Sequence, residues 1–571
     1  MIAAPRKQQL PILTGVLAVA LAAGLLLPFH HQPWPAFYTD AWVSIGLMAL
    51  FWLCLFRVGP HLRVSGLGTF TLALCGVPLA HWGIGLVPLA SDAWVSFAYL
   101  LGFALAIILG EFWSQGDPHA AADLLFVAVA LAGIISVAVQ IVQWTDAAYR
   151  FDVIAGIVMQ VPPGARPYAN LGQPNQLATL QLWGVLALLW AWRRGAIRAR
   201  FVGVGGVMLV FGLALTQSRT GWLAFFVLIA LSLVWRQREF GRELCTAAMA
   251  LYALYLVLLL LQPSMGNLLG LPSTGSMADR LRMGLGTDLR WDAWSMFLQA
   301  SFERPWAGYG WGHTREAMVQ VIADHPRLAG TPFAHAHMLP LDLVLWLGWP
   351  LGLLLMGAAI WWLVMQTRRL QTPEQALVFA ALVVVGTHAM LELPLHYAYL
   401  LLPTGILMGV LNTQAGRGLP WFQVSRHGLA VIALCASALL ALIVWDYWKV
   451  ERAFERLQQP TPNREQAIAG PASTWLLHHW HEFLVLAHEA PRADMSDAEL
   501  AQWYALVMYF PAPNIVDKYM HALELNGRTT QLAYLQPRLC ALMDRAVCGW
   551  MTDRWAARAV SLSTPSTSSR P

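Results

Sequence analysis

The sequence predicts an all-α, polytopic membrane protein with about thirteen transmembrane helices, a large outward-facing loop and a small α-helical C-terminal domain. Three observations predict it. The 571 residues are 58% hydrophobic and only 12% charged, whereas soluble domains carry about 25% charge. Mean hydropathy is +0.53, and the 28 Trp residues suit the headgroup belts of a bilayer. Apolar stretches approaching the roughly 20 residues that cross hydrocarbon recur along most of the chain. So little charge cannot coat a globule of this size, which excludes a water-soluble enzyme. The apolar content likewise excludes a disordered chain. No Lys/Arg stripe interleaved with aromatics lies on a soluble stretch, so no nucleic-acid partner is expected.

Thirteen stretches read as spans: 11–28, 41–57, 67–88, 92–111, 122–143, 171–192, 201–216, 220–235, 243–262, 338–365, 374–391, 398–413 and 427–447. Arg6 and Lys7 precede the first, but no small-x-small cleavage site follows, so it reads as an uncleaved anchor. With the N-terminus in the cytoplasm, the inner connections hold fifteen Lys/Arg. The short outer loops hold three, Arg150, Arg166 and Arg219. This bias follows the positive-inside rule, and an odd number of spans preserves it. The division expected is a transmembrane region 1–447 with an outer loop 263–337, a helical domain 448–560, and a Ser/Thr/Pro-rich disordered tail 561–571.

In the C-terminal region the stretches 474–489, 497–509, 513–525 and 529–547 read as short amphipathic helices. Pro511, Pro513 and Asn526-Gly527 punctuate them. His478, His479, His481 and His488 lack metal-site spacing and read as a solvated helix face. Cys54, Cys75, Cys245 and Cys435 lie in apolar spans and read as packing residues. Cys540 and Cys548 face outward, where an oxidising compartment would permit a disulfide.

Polar residues at the membrane edge are expensive and mark function. Five such features fall on the outer side. Residues 168–175, Tyr-Ala-Asn-Leu-Gly-Gln-Pro-Asn, join backbone breakers to the amides of Asn170, Gln173 and Asn175. Residues 216–221, Thr-Gln-Ser-Arg-Thr-Gly, hold Arg219 in a short turn, where a guanidinium either snorkels or binds an anion such as phosphate. The outer loop carries Asp279-Arg-Leu-Arg282, then Arg290 between Asp288 and Asp292, and then Trp306, Tyr309 and Trp311. Arg290 reads equally as a phosphate ligand or a local ion pair. The three aromatics read either as sugar-stacking platforms or as a membrane belt. Residues 333–338, Phe-Ala-His-Ala-His-Met, place His335 and His337 where the loop returns to the membrane, with Asp342 following. A histidine pair there suits a general base better than a metal site, since no third ligand is evident. Two positions apart share a face only if the segment is extended. Residues 391–399, Leu-Glu-Leu-Pro-Leu-His-Tyr-Ala-Tyr, present Glu392, His396, Tyr397 and Tyr399.

The order, spacing and common side of these elements resemble the bacterial O-antigen ligases and O-linked protein oligosaccharyltransferases. The resemblance rests on Gly-Gln-Pro-Asn (172–175), Gln-Ser-Arg-Thr-Gly (217–221), Arg-Trp-Asp-Ala-Trp (290–294), His-Ala-His (335–337) and the 391–399 element. Gly-Gln-Pro-Asn, Pro-Leu-His-Tyr and the soluble end favour the protein-glycosylating branch. The resemblance implies a multi-pass bacterial inner-membrane glycosyltransferase with its active site, large loop and C-terminal domain in the periplasm. It implies a polyprenyl (undecaprenyl) pyrophosphate-linked glycan as donor and a Ser/Thr hydroxyl of an exported protein, such as a pilin, as acceptor. Carried over by residue, the catalytic histidine matches His337, with His335 beside it. The pyrophosphate arginines match Arg219 and Arg290, and further polar positions match Gln173 and Tyr397. Met338 stands where that family usually has Asn.

The chemistry agrees. A hydroxyl nucleophile needs a base, and pyrophosphate leaves well when cations stabilise its charge. Membrane lipids are the surroundings. Neither a cofactor nor a metal is expected, since the donor is already activated and neither a phosphate-binding glycine loop nor a paired-carboxylate cluster is visible. The alternatives are ligation of O-antigen to lipid A–core, polymerisation of glycan repeats, or, in another class, transport of a lipid-linked glycan.

Overall fold

The computed structural model describes residues 10–147, 156–238, 241–271, 289–414, 421–458 and 473–563. Arg6, Lys7, Arg150, Asp279–Arg282, Asp288, Arg417 and the tail beyond Ser563 lie outside them. The chain is a mostly helical, polytopic membrane protein. Among the described residues seven helices are long and apolar enough to cross a bilayer. They are α2 (Phe37–Leu55), α5 (Ala90–Gly116), α6 (Ala120–Trp144), α8 (Ala199–Thr216), α10 (Gly241–Leu268), α13 (Leu339–Arg369) and α16 (Arg426–Gln458), the last over Arg426–Arg456. The remaining apolar stretches are helical too: α1 (Leu10–Gly24), α3 (Gly66–Leu74) with α4 (Gly76–Gly83), α7 (Pro174–Arg193), α9 (Arg219–Trp235), α14 (Pro373–Ala389) and α15 (Ala398–Gln414).

Two compact units form. The first comprises Met1–Cys75, Ala98–Gly286 and Ala358–Val444; the second comprises Gly76–Phe97, Thr287–Gly357 and Trp445–Pro571. In the first, α7 is the central helix. From Gln176 to Trp190 every residue is buried, and α6, α8 and α14 surround it. Close approach uses small residues, as membrane helices do. A Cβ on Gly110 would meet the Ile406 carbonyl at 2.3 Å, and one on Gly409 would meet that of Ile107 at 2.1 Å. The buried Glu111 carboxylate is satisfied by Ser65 and Asn412. One feature departs from an all-α reading. Strand β1 (His61–Ser65) pairs antiparallel with β2 (Trp421–Ser425). Each is a short connecting segment, and the ladder satisfies backbone groups that a loop would leave unpaired.

The stretch 67–88 is not one helix. Pro78 cannot donate to the Leu74 carbonyl, and the break falls at Cys75 between α3 and α4. A second break shapes the other unit. Helix α13 kinks at Gly348, with φ 75°, because Pro350 has no N–H for the Trp346 carbonyl. The glycine-rich segment 305–312 takes up the released groups. Tyr309 N–H donates to Leu345 (2.7 Å), Gly310 N–H to Trp346 (3.2 Å) and Trp349 N–H to Pro305 (2.8 Å).

The second unit also holds α11 (Leu289–Glu303), α12 (Thr314–Val321), α17 (His478–His488), α18 (Asp497–Tyr509), α19 (Pro513–Leu525), α20 (Thr529–Ala541) and α21 (Arg545–Ser563). Helix α18 starts with a Ser496/Glu499 capping box. Helix α19 buries Ile515, Val516, Tyr519, Met520, Ala522 and Leu523, one amphipathic face. Cys540 and Cys548 are disulfide-bonded with Cα atoms 5.0 Å apart. The expected solvated histidine face needs correction. His479 is buried against Tyr509, ring centroids 4.4 Å apart, because the apolar face of α17 runs through it.

Candidate functional site

The polar motifs gather into two clusters, one in each unit. In the first unit, Gln173 precedes α7 in extended conformation, Pro174 opens the helix, and the Gln173 side chain does not cap it. Arg219 is the first residue of α9, whose cap is Ser218 donating nothing to the helix but accepting from Gly221 N–H at 2.9 Å. Asn175 joins these helix starts. Its Oδ1 accepts from Ser218 Oγ (2.6 Å), and its Nδ2 donates to Glu392 Oε1 (3.1 Å). Three motifs, from 172–175, 217–221 and 391–399, therefore meet through one side chain. Two helix N-termini lie together there, each with backbone N–H groups and a partial positive charge suited to an anion.

The approach to α7 is held rigidly. Gln143 uses its whole amide. Nε2 donates to the Met159 and Ala169 carbonyls, while Oε1 accepts from Tyr168 and Ala169 N–H. Asn170 bonds Met159 N–H and the carbonyls of Leu26 and Ile157. Ala169 and Gln217 adopt left-handed backbone, φ 52° and 45°, a sparsely populated region for such residues. Tyr397 is half-buried with its ring 5.4 Å from that of Tyr399. Burial pushes its phenol pKa up, against a hydrogen bond with Gln176, so it stays a neutral donor. Tyr399 itself bonds Gln176 and is buried.

In the second unit, the His335–His337 segment is clamped through its middle residue. Ala336 N–H donates to Asp342 Oδ1 (2.9 Å), and the Ala336 carbonyl accepts from Trp294 Nε1 (3.0 Å). Thr314 Oγ1 donates to the same Asp342 oxygen (2.9 Å) and accepts from Trp346 Nε1 (2.7 Å). Asp342 is fully buried, and its Oδ2 has no hydrogen-bond partner among the described residues. His335 and His337 are half-buried on either side of buried Ala336. His337 has φ 54°, so the segment is not an extended strand at this point. Its ring meets Phe333 edge-on at 5.9 Å. Arg290 stands one turn before Trp294 on α11, a spacing that puts both on one helix face. Asp292 approaches Arg327 at 3.8 Å.

The sequence-derived residues thus divide. Gln173, Arg219 and Tyr397 belong to the first cluster, and Arg290, His335 and His337 to the second. Of the aromatics read as sugar platforms, Tyr309 is removed by burial, its hydroxyl donating to Ala300. Trp311 packs on Trp346, and Trp306 is 80% exposed. Thr314 and Gln143 escaped sequence reading. A glutamine within an apolar span was the available signal for Gln143; an isolated threonine gave none for Thr314.

The chain is a polytopic membrane protein, and separate stretches of it are similar to families of glycan-handling membrane proteins. Residues 204–356, with both arginines and both histidines, match the O-Antigen ligase family. Residues 167–192 match Protein glycosylation ligase. Residues 376–534 match the C-terminal region of Virulence factor membrane-bound polymerase. Over most of its length the chain is similar to a curated O-oligosaccharyltransferase. It is 29% identical over 549 residues to a General O-oligosaccharyltransferase of Acinetobacter baylyi, covering 92% of each chain. It is 29% identical over 272 residues to a ComP-specific O-oligosaccharyltransferase of the same organism, covering 47% of this chain and 48% of that one.

Proposed function

We propose that the protein transfers a glycan from polyprenyl (undecaprenyl) pyrophosphate to Ser or Thr hydroxyls of exported proteins such as a pilin. The observation that carries this is the gathering of five motifs into two polar clusters, one at paired helix N-termini and one around a held histidine loop. The relatives' names agree with it.

In this reading His337 takes the proton of the acceptor hydroxyl as its oxygen attacks the anomeric carbon. The bond from that carbon to the pyrophosphate oxygen breaks, and the lipid pyrophosphate leaves with the electron pair, most simply with inversion. Arg219 and Arg290, with the N-termini of α7 and α9, stabilise the charge that grows on the leaving group. Gln173 and Tyr397 supply neutral hydrogen bonds to donor oxygens, and His335 contacts substrate beside the base. The donor carries the free energy, so the reaction requires no cofactor or metal. Thirteen spans, a cytoplasmic N-terminus and a periplasmic C-terminal domain complete the proposal. Their support is the helicity of every apolar stretch and the placement of the positive charges.

Intact-mass measurement of a candidate pilin, incubated with purified enzyme and polyprenyl-pyrophosphate glycan, tests the function. A mass increase equal to the glycan, lost in His337→Ala, is expected. Modification of lipid A–core instead would make the protein a ligase of O-antigen. Flux of lipid-linked glycan across vesicles without any covalent product would make it a transporter.

A further inference from the structure

Helix α12 begins with three consecutive residues that bond outside their own helix, all within the second unit. Thr314 donates to Asp342 Oδ1 (2.9 Å), the oxygen that also accepts from Ala336 N–H between the two histidines. Arg315 Nη1 donates to the carbonyls of Met508 (2.6 Å) and Tyr509, the last two residues of α18. Glu316 accepts from Tyr504 O–H, which lies 3.2 and 3.1 Å from its two carboxylate oxygens. Tyr504 and Met508 are one turn apart on α18 and share a face. One short turn thus joins the histidine loop to a helix whose residues lie 193 positions further along the chain.

Helix capping alone does not call for this arginine. The last carbonyls of a helix lack partners within it, and water or a glycine turn ordinarily satisfies them. A guanidinium drawn out of solvent loses hydration and needs a counter-charge. Arg315 is half-buried, its Nε is out of solvent, and Asp92 supplies the electrostatic partner. The end of α17 is capped by a cation too, but from nearby. Lys518 of α19 donates to the carbonyls of Leu486 (3.2 Å), Ala487 (2.5 Å) and Glu489 (3.0 Å), so that cap stays among the C-terminal helices. At α18 the cation comes instead from the segment that leads into the histidine loop. Helix α20 makes a second joint with that segment. Gly330 N–H donates to the Ala541 carbonyl (2.9 Å), and a Cβ on Gly330 would meet Asp544 Cα at 3.2 Å. The segment is therefore fastened at both ends, by Arg315 and Glu316 to α18 and by Gly330 to the end of α20.

We propose that Arg315 is a positioning residue for the transfer reaction: by fixing the first turn of α12 on the end of α18, it sets the Thr314–Asp342 clamp that orients the histidine loop. The proposal rests on the transfer reading above and gives the C-terminal helices a part in it. The apolar residues that anchor α12, Ala317, Met318, Val319 and Val321, lie further along the helix. Its first turn, where Thr314 must meet both Asp342 and Trp346, is located by Arg315 and Glu316. A misplacement of about 1 Å from productive geometry can lower a rate about 10²-fold. The cost of losing Arg315 therefore falls on the rate of the bound complex, and binding of either substrate is spared.

The test measures transfer and amide hydrogen exchange on the full protein in nanodiscs. Arg315→Ala should lower kcat about ten- to a hundredfold, with the KM for donor and for acceptor changed by no more than about twofold. Exchange in the peptide spanning 333–338 should rise, because Ala336 N–H loses its fixed acceptor, while α19 keeps its protection. Arg315→Lys should recover most of both, since an ammonium already reaches helix-end carbonyls at Lys518. Lys518→Ala frees the end of α17 without touching α12, and should leave kcat and the 333–338 exchange unchanged. If Arg315→Ala does not fold, Tyr504→Phe removes only the bond to Glu316 and should show the same signature at about threefold in kcat. Full kcat, or unchanged 333–338 exchange, in the variant that folds would overturn the proposal. So would an equal loss of kcat in Lys518→Ala, which would reduce Arg315 to a general support of the domain. Exchange separates this proposal from the function. Raised 333–338 exchange in Arg315→Ala, in a protein whose wild type transfers to no acceptor, keeps the joint and removes the transfer reading.

Discussion

Asn175 and Ala336 each stand at the centre of a polar cluster, but one is joined through its side chain and the other through its backbone. Around Asn175, amide, hydroxyl and carboxylate bond one another where buried helices begin. The polar groups lock the starts of α7 and α9 together, and charge near them meets fixed dipoles. Around Ala336, Asp342 and Trp294 hold the N–H and carbonyl. In the proposed reading, the backbone clamp orients the loop that carries the base, and the side-chain network orients the helix starts that meet the anion. His337 at φ 54° fits this division, since strained backbone of about 1–3 kcal/mol persists only where its surroundings over-determine it.

The largest expected effect breaks the comparison on its chemical side. His337→Ala should lower transfer about 10²–10⁴-fold, the worth of a general base, with donor binding retained. His335→Ala should cost less. Full activity in both single variants and the double variant would sink the base assignment. On the anion side, Arg219→Ala should reduce kcat about 10²–10³-fold, the scale of losing one preorganised donor to a developing charge. Arg219→Lys should recover only part of this, because the ammonium lacks the planar fork. Equal rates for Ala and wild type would place Arg219 outside the leaving-group site.

Asp342 sharpens the contrast, because it acts on the loop rather than on substrate. Asp342→Ala removes the acceptor for both Ala336 N–H and Thr314 Oγ1. Losing such buried bonds should cost about tenfold to a hundredfold in kcat, with KM little changed. Asp342→Asn keeps an acceptor oxygen and should recover most of the rate. A KM effect without a kcat effect, or no rescue by Asn, would show that Asp342 does not position the loop.

Much of this was legible in the chain because hydrocarbon makes polar residues conspicuous. Apolar length marked the helical stretches of the membrane region, and the charge bias predicted how their directions alternate. The five motifs stood out as polar islands. What was not legible depends on contacts distant in sequence. The 67–88 stretch hid its break because one proline in an apolar run looks like any other. Tyr309 looked available to sugars, yet the kink at Gly348 opens the backbone groups that draw its segment inward. The β1–β2 ladder joins residues about 360 positions apart, 61–65 with 421–425, and neither strand is periodic enough to announce itself. The two-cluster arrangement also lay beyond spacing, because a hydrogen bond such as Asn175 to Glu392 follows from helix packing.

The smallest effect concerns stability and separates the units by pH. His479 lies among aromatic rings, and burial holds its pKa down at about 3, from an ordinary 6.5. His313, ahead of α12, is pushed to about 4 by burial, with His81 and Arg315 adding repulsion. Both are neutral when folded and take up protons more readily when unfolded. Their contribution is fully present above pH 6.5 and declines as pH falls toward 4 and then 3. At pH 5 each should cost about 2 kcal/mol relative to neutral pH. Thermal unfolding of the detergent-solubilised protein, followed by tryptophan fluorescence from pH 7.5 to 5, should show the second unit's transition falling. In His479→Leu that fall should shrink by about half, because the apolar side chain fits the same ring-lined site without a proton to gain. An unchanged pH slope in the variant would mean that protonation elsewhere governs the second unit, and the buried imidazole would then be only a packing group.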